Sequence, residues 1–389
     1  MAPPARYGPP AYSIPQRYMH REPPPEGADS NTRPYIIFFS YLLTCFLVTI
    51  FILLKLIRRA SVLQKSTTAR LPPKKHVWLF GGLAVGSLLS TWTQMFQYFR
   101  ISYHQWLMWR SYYELEPHMR HWGLWLKETS LFREAWETVI VGNARYWWSH
   151  QIFFFALGLG LYLEQKGLPR GIRYTWAFML LGQIVAISFA TNLFLLTLLL
   201  SPPAPPSAPS GTRGHKWLGP WLLNLLAIFA TAYPAMQLAD EHYWYHPTHF
   251  MPMLLAPHIA LMVLPVVRAL VPPGYFEDDI QIADRIYNYL WVLVFANGGL
   301  MLGWTTVTAY AYSGVAGIVN AVFEHPAVGS VGFDVVFCWT TWICWKRTQT
   351  KPTRTEVSMH ADEPSTEFVR DGRDTFVGAG AYGDGIRRR

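Results

Sequence analysis

Charge is scarce in this chain of 389 residues. Charged side chains make up 15% of it and apolar side chains 51%, and the mean hydropathy is +0.13. An ordinary soluble domain is about 25% charged. The composition therefore excludes an ordinary soluble domain and predicts a membrane protein.

Cysteine is also scarce, and so are the familiar short motifs. The three cysteines, Cys45, Cys338 and Cys344, all lie in apolar runs, which excludes a lumenal disulfide framework. Their spacing does not match a paired metal site. The chain lacks a P-loop, a G-x-S-x-G elbow, an H-E-x-x-H pair and an N-x-[ST] sequon. No common nucleotide-binding or hydrolase signature is present, and we expect no cofactor.

What the chain has in abundance is apolar runs close to the ~20 residues that cross a bilayer as a helix. The eight candidates are Tyr35–Ile57, Val77–Phe99, Trp147–Leu163, Trp176–Leu200, Trp217–Leu238, Met251–Val271, Ile286–Ala309 and Val331–Trp345. The sixth contains three prolines and the eighth is short, so seven crossings remain open. The prediction is an all-α polytopic bundle over residues 35–345, between a proline-rich tail (1–34) and a charged tail (346–389), both expected to be disordered.

The formal charge of +9 invites a nucleic-acid partner, but the position of the bases favours a lipid bilayer instead. The first connection is surrounded by Lys55, Arg58, Arg59, Lys65, Arg70, Lys74 and Lys75, without an acid. Such clusters mark the cytoplasmic side, so the loop from Arg58 to His76 is predicted there. A second cluster from Lys346 to Arg354 favours the same side. Eight crossings would separate the two clusters, so either the count is odd or one cluster is misplaced.

The stretch "ADEHYWYHPTHF" places His242, His246 and His249 among acids and aromatic residues. On one helix face, three histidines could serve a metal-dependent membrane hydroxylase. Pro247 disfavours that face, because the residue before a proline is pushed out of the helical region. We expect an aromatic loop at the membrane interface, with a polar lip over a cavity as the alternative, and no essential metal site.

The long segment 100–146 contains "SLFREAWETVI", whose apolar residues share one helical face. This pattern predicts an amphipathic helix that lies in the interface and packs on the bundle. The alternative is a lid over a substrate entrance.

Polar residues inside the apolar runs carry the clearest indication of a function. They are Gln94, Gln97, His150, Gln151, Gln183, Asn192, Asn224, His258, Asn297 and Asp334, with Glu324 and His325 just before the last run. Each amide alone is expected to bridge helices, but together they favour an internal polar cavity. An acid in an aromatic-lined cavity suits carbocation chemistry, so Asp334, Glu324 and His325 are the predicted catalytic residues.

The segments "SLFREAWETVI", "ARYWWSHQIFFF" and "EHPAVGSVGFDVVF" resemble a group of polytopic membrane proteins of filamentous fungi. The resemblance covers roughly residues 35–347, and some members resemble membrane proteins of terpenoid and indole-terpenoid gene clusters, including cyclase-like ones. It implies a multi-pass protein of the endoplasmic reticulum membrane in secondary metabolism. It implies an enzyme for a lipophilic isoprenoid-type substrate, and assigns no role to Glu324, His325 or Asp334. A non-enzymatic carrier or scaffold is the alternative.

Overall fold

The computed structural model describes residues 32–66, 71–110, 120–201, 216–246 and 248–349. Over these ranges the chain is α-helical, and the only β-pairing is an isolated bridge between Leu218 and Glu277. The all-α prediction is confirmed. The predicted disorder of both tails falls almost entirely outside the described residues.

Each predicted apolar run lies within one described helix or coincides largely with it, with one exception. The described helices are α1 (Thr32–Lys65), α2 (Lys74–Arg110), α3 (Trp122–Glu128), α4 (Leu131–Ile140), α5 (Asn143–Tyr162), α6 (Thr175–Ile184), α7 (Ile187–Leu199), α8 (Trp221–Leu238), α9 (Phe250–Leu270), α10 (Ile280–Glu324) and α11 (Pro326–Thr348). Five of these, α1, α8, α9, α10 and α11, are long and apolar enough to cross a membrane. The chain is thus built as an integral membrane protein.

The helices meet at two opposite ends of the bundle. At the first, here called the Arg59 end, the guanidinium of Arg59 on α1 donates to the hydroxyl oxygens of Tyr174 (3.1 Å) and Ser201 (2.7 Å). The end of α5 lies at this end too, because Arg59 also donates to the carbonyl of Gly171, shortly after α5. The last turn of α11 lies beside it, since the Trp345 indole donates to the Tyr162 hydroxyl at 2.6 Å. The ring of Trp345 also packs against Phe80, near the start of α2, with ring centroids 5.5 Å apart.

At the opposite end, here called the Glu324 end, α10 stops and the other ends of α2 and α5 are found. Glu324 accepts hydrogen bonds from Arg145 at the start of α5, the shorter at 2.9 Å. Tyr98, near the end of α2, donates to the carbonyl of Leu131 at 2.7 Å, and its ring lies 5.9 Å from that of His325. Helices α2 and α5 therefore run the full distance between the two ends.

The exception is the predicted fourth crossing, Trp176–Leu200, which is two half-helices and not one span. Helix α6 has 10 residues and α7 has 13, so they extend only about 15 and 20 Å, against ~30 Å of hydrocarbon. The backbone leaves the helical region between them, at Val185 (φ −122°, ψ −76°) and Ala186 (φ −162°, ψ 138°). The prediction of one continuous crossing is therefore wrong.

The two half-helices fold back on each other as an antiparallel hairpin. Phe178 on α6 and Phe194 on α7 have ring centroids 5.4 Å apart. Gly182 permits the close approach, because a Cβ there would lie 3.0 Å from the Ile187 Cδ1 and 3.5 Å from the Ala190 Cβ. The start of α6 and the end of α7 both lie at the Arg59 end, where Arg59 binds the residues that flank them. The hairpin enters the bundle and leaves it at the same end.

The amphipathic helix expected from "SLFREAWETVI" is α4, and it packs on the bundle as predicted. It contacts α5 and α11, with Val139 and Ile140 buried. Arg133 and Glu137 form an ion pair one turn apart at 2.6 Å, on a more exposed part of the helix. This placement brings Trp136 inward, toward the tip of the α6–α7 hairpin.

Candidate functional site at the helix break

A cavity of about 90 Å³ lies where the α6–α7 hairpin turns. Its lining combines polar side chains with apolar and aromatic ones. The polar members are Thr91, Gln183, His258, Ser330 and Asp334, and the aromatic members are Trp136 and Phe153. The start of α9 lies at the Glu324 end, because Asn143 at the start of α5 donates to Glu241 in the preceding connection at 3.3 Å. Asp334 and His258 therefore each lie eight residues beyond the Glu324-end terminus of their helix, about 12 Å into the bundle. The internal polar cavity expected from the sequence is therefore present.

Asp334 binds the start of the half-helix α7. One of its carboxylate oxygens accepts the backbone N–H of Ile187 at 2.9 Å, and the other accepts that of Ser188 at 2.8 Å. The first N–H groups of a helix have no partner within the helix, and in a bilayer no water replaces one. The negative carboxylate also complements the positive end of the α7 dipole. Asp334 therefore holds the tip of the hairpin against α11.

No basic side chain among the described residues forms an ion pair with Asp334. Its two oxygens instead meet two backbone N–H groups at the start of α7, and the residue is only 7% exposed. A carboxylate held this way is costly in hydrocarbon unless it serves a partner or a cavity. Its position on the cavity wall makes it the main electrostatic feature of the site.

His258 is the second ionisable group of the cavity, and His150 on α5 provides a natural comparison. In each ring Nδ1 lies close to the carbonyl oxygen four residues earlier, at 2.9 Å from Leu254 for His258 and 3.0 Å from Tyr146 for His150. That contact places the proton of the neutral ring on Nδ1 and leaves Nε2 as an acceptor. His150 Nε2 lies 3.5 Å from the Thr305 hydroxyl and does not line the cavity.

For Nε2 of His258, the described residues offer no comparable hydrogen-bond partner. The ring instead meets Trp136 edge-on at 5.3 Å and Phe153 at 6.1 Å, and these two aromatic rings stack on each other at 6.2 Å. An imidazole with one committed and one uncommitted nitrogen can accept or donate a proton at the uncommitted atom. Sequence reasoning named His258 as a polar intramembrane residue without assigning it a role.

Two of the other intramembrane amides, Asn192 and Gln151, bridge helices, as expected for each one alone, and Asn297 does not. Asn192 on α7 exchanges hydrogen bonds with Thr341 on α11, at 2.9 and 3.2 Å. Gln151 accepts the indole N–H of Trp339 at 3.0 Å. Asn297 binds only a carbonyl of its own helix. The cavity thus takes Gln183, His258 and Asp334 from a larger set of polar residues.

The structure does not bring the three predicted catalytic residues together. Asp334 lines the cavity, whereas Glu324 lies at the bundle end, with its side chain 47% exposed and paired with Arg145. His325 sits between α10 and α11, where its Nδ1 accepts the backbone N–H of Ala327 at 3.2 Å. Burial, with a smaller contribution from Arg145, lowers the pKa of His325 to about 4. His325 therefore acts as a neutral acceptor at the start of α11.

The three loop histidines lie in the connection between α8 and α9. His246 and His249 have ring centroids 4.5 Å apart, and His246 Nδ1 accepts the backbone N–H groups of Thr248 and His249. His242 packs edge-on against Tyr243. Over the described ranges, no three His, Cys, Asp or Glu side chains are placed to hold a metal ion. None of these histidines lines the cavity.

Sequence reasoning missed a buried ion pair at the Arg59 end. Glu164, just beyond α5, pairs with Arg268 on α9, and both are buried. Glu164 also accepts the backbone N–H of Gly219 at 2.8 Å, and Arg268 also donates to the amide oxygen of Asn224. The sequence gives one weak indication of this pair, because an acid and a base each lie near the end of an apolar run.

No protein-family model, no curated protein and no solved structure matches the chain.

Proposed function

We propose that the chain is a membrane-embedded enzyme that acts on the reactive end of a lipophilic, isoprenoid-type substrate in the cavity at the helix break. The observation that supports it is the meeting of a carboxylate, an imidazole and stacked aromatic rings in one cavity inside an apolar bundle. These are the groups that acid-initiated cyclisation uses. Its setting, the endoplasmic reticulum membrane and secondary metabolism of a fungus, rests on the resemblance of the three quoted segments.

The geometry supports different roles for the two ionisable groups in this proposal. Both carboxylate oxygens of Asp334 accept backbone N–H groups, which fix the side chain at the cavity wall. Asp334 therefore suits the stabilisation of positive charge that develops on the substrate. His258 keeps Nε2 for proton transfer: the ring protonated at Nε2 gives that proton to the substrate, and the neutral ring then takes one back from the cyclised cation. The faces of Trp136 and Phe153 can stabilise the cation.

The size of the cavity limits what it can hold. A volume of about 90 Å³ corresponds to roughly three water molecules at the ~30 Å³ that each occupies in the liquid. Sites for whole drug-sized ligands are about 300–1,000 Å³. The cavity thus accommodates the reacting group, and the hydrocarbon chain of the substrate would lie between helices or in the surrounding lipid.

Metabolite profiling of a strain that lacks the gene tests the proposal. The strain is complemented with the wild type, His258→Gln or His150→Gln, and lipophilic extracts are compared by mass spectrometry. Both variants replace a buried histidine whose Nδ1 contacts a carbonyl, but only His258 lines the cavity. We expect His258→Gln to lose the product and His150→Gln to keep it at equal protein level.

The contrary result is an unchanged metabolite profile with His258→Gln at wild-type abundance. That result would reject proton transfer at this cavity. The second candidate function would then be a carrier, and the helix break is the observation that favours it. Half-helices that meet near the middle of the bilayer are the usual construction of transporter binding sites. Uptake or efflux of a small solute by reconstituted vesicles, lost on His258→Gln, distinguishes a carrier from an enzyme.

A further inference from the structure

Exposed basic side chains from several helix ends gather at the Arg59 end. They are Arg58 and Lys65 on α1, Lys74 and Lys75 on α2, Arg173 before α6, and Lys346 and Arg347 on α11. They are far apart in sequence, and the contacts of Arg59, Tyr162 and Phe80 with partners from α6 and α11 bring their helices to one end. We call these seven side chains the basic rim.

The hairpin explains how the first and last clusters come to share an end. Had the segment Trp176–Leu200 crossed the bundle, α11 would end opposite the first connection. Because α6 and α7 enter and leave at the Arg59 end, the described helices leave seven of the eight predicted runs as crossings, which is an odd number. The conflict between the two basic clusters, evident in the sequence, disappears in the fold.

The Glu324 end has a different charge pattern. Its described bases include Arg120, Lys127, Arg133 and Arg145, and its described acids include Glu134, Glu137, Asp240, Glu241 and Glu324. Two of these bases are paired, Arg133 with Glu137 and Arg145 with Glu324. Among the described residues, the acids at the Arg59 end are Glu164 and those of the segment 277–284, and two of them are paired, Asp278 with Lys216 and Glu164 with Arg268. No acid occurs in residues 30–113, which contribute more than half of the rim.

We infer that the basic rim is a docking surface for anionic lipid headgroups and that the Arg59 end faces the cytoplasm. Flexible, exposed lysine and arginine side chains beside membrane-crossing helices meet the headgroup layer, and the cytoplasmic leaflet carries the anionic lipids. The charge pattern also orients the cavity, whose hairpin is then inserted from the cytoplasmic side. The inference rests on the fold and on charge, and does not depend on the proposed enzymatic activity.

Lipid retention tests the docking surface. The full chain is purified from membranes of equal phosphatidylserine and phosphatidylcholine content, and the lipids that remain bound are measured by mass spectrometry. Lys74→Gln/Lys75→Gln is compared with Arg120→Gln/Lys127→Gln, which removes the same charge from the other end. We expect the first double variant to lower the phosphatidylserine excess at least about twofold and the second to leave it unchanged. Equal effects of the two variants, or no excess in the wild type, overturn the inference.

Engineered glycosylation sites test the orientation. The chain has no N-x-[ST] sequon of its own, so an introduced acceptor reports without background. One acceptor is placed in an extended insertion between Lys65 and Lys74, and another in an insertion beside Asp240. We expect glycosylation of the second only, because the first lies at the Arg59 end. Glycosylation of the first, or of neither, contradicts the assignment.

Discussion

Two buried carboxylates in this bundle are balanced in different ways. Glu164 accepts the N–H of Gly219 and has a positively charged partner, Arg268. Asp334 accepts two backbone N–H groups and has no charged partner among the described residues. The first borders no cavity that we identify, whereas the second lines the cavity at the helix break. The difference indicates that Glu164 fixes the fold, and that Asp334 holds the hairpin while it also faces the cavity.

The largest loss of stability is expected when the ion pair of Glu164 with Arg268 is broken. Arg268→Met leaves Glu164 buried without its counter-charge, which typically costs about 3–5 kcal/mol. We expect a large loss of folded protein, measured as the monodisperse fraction after detergent extraction. The double variant Glu164→Gln/Arg268→Met removes both charges and keeps an acceptor for Gly219, so it should recover most of the yield. Similar yields for the single and double variants would show that the pair is not the reason for the loss.

A smaller loss is expected at Asp334. An amide keeps one oxygen acceptor, so Asp334→Asn leaves one N–H at the start of α7 without a partner, at a cost of about 1–3 kcal/mol. The melting temperature in detergent should fall more than with Thr341→Val, which removes a bridge between the same two helices. A wild-type melting temperature for Asp334→Asn would show that the cap is not needed.

These two sites show how much of the fold and of the cavity could be predicted from the sequence. Apolar length located the five helices that are long and apolar enough to cross a membrane, and the pattern of "SLFREAWETVI" located α4, because both signals are local. Apolar length also predicted one crossing at Trp176–Leu200, where the chain forms two half-helices. The break at Val185 has neither proline nor glycine, so no local signal marked it. The charge conflict between the first connection and Lys346 was the one trace of the hairpin. Asp334 and His258 were visible as polar residues, but only tertiary contacts show that they share a cavity.

His325 should make the stability of the Glu324 end depend on pH. The pKa of His325 is about 4 in the fold, below the ~6.5 of an unfolded chain. The unfolded chain therefore binds the proton more readily, and the stability from neutral His325 is lost as pH falls from about 6.5 to 4. We expect the melting temperature to drop by a few degrees over this window, and His325→Gln to drop less. Parallel curves for the two proteins would assign the pH dependence to other groups.

The smallest effect is expected for Glu324, an exposed carboxylate that can be compared with the two buried ones. Its pair with Arg145 is half exposed, and pairs of this kind contribute at most about 1 kcal/mol. Glu324 does not line the cavity, so Glu324→Gln should leave the melting temperature nearly unchanged and the metabolite profile intact. Complementation of the deletion strain, beside His258→Gln, measures both. If Glu324→Gln alone abolishes the product at normal abundance, the reacting acid lies at the turn between α10 and α11, and the cavity at the helix break is not the site.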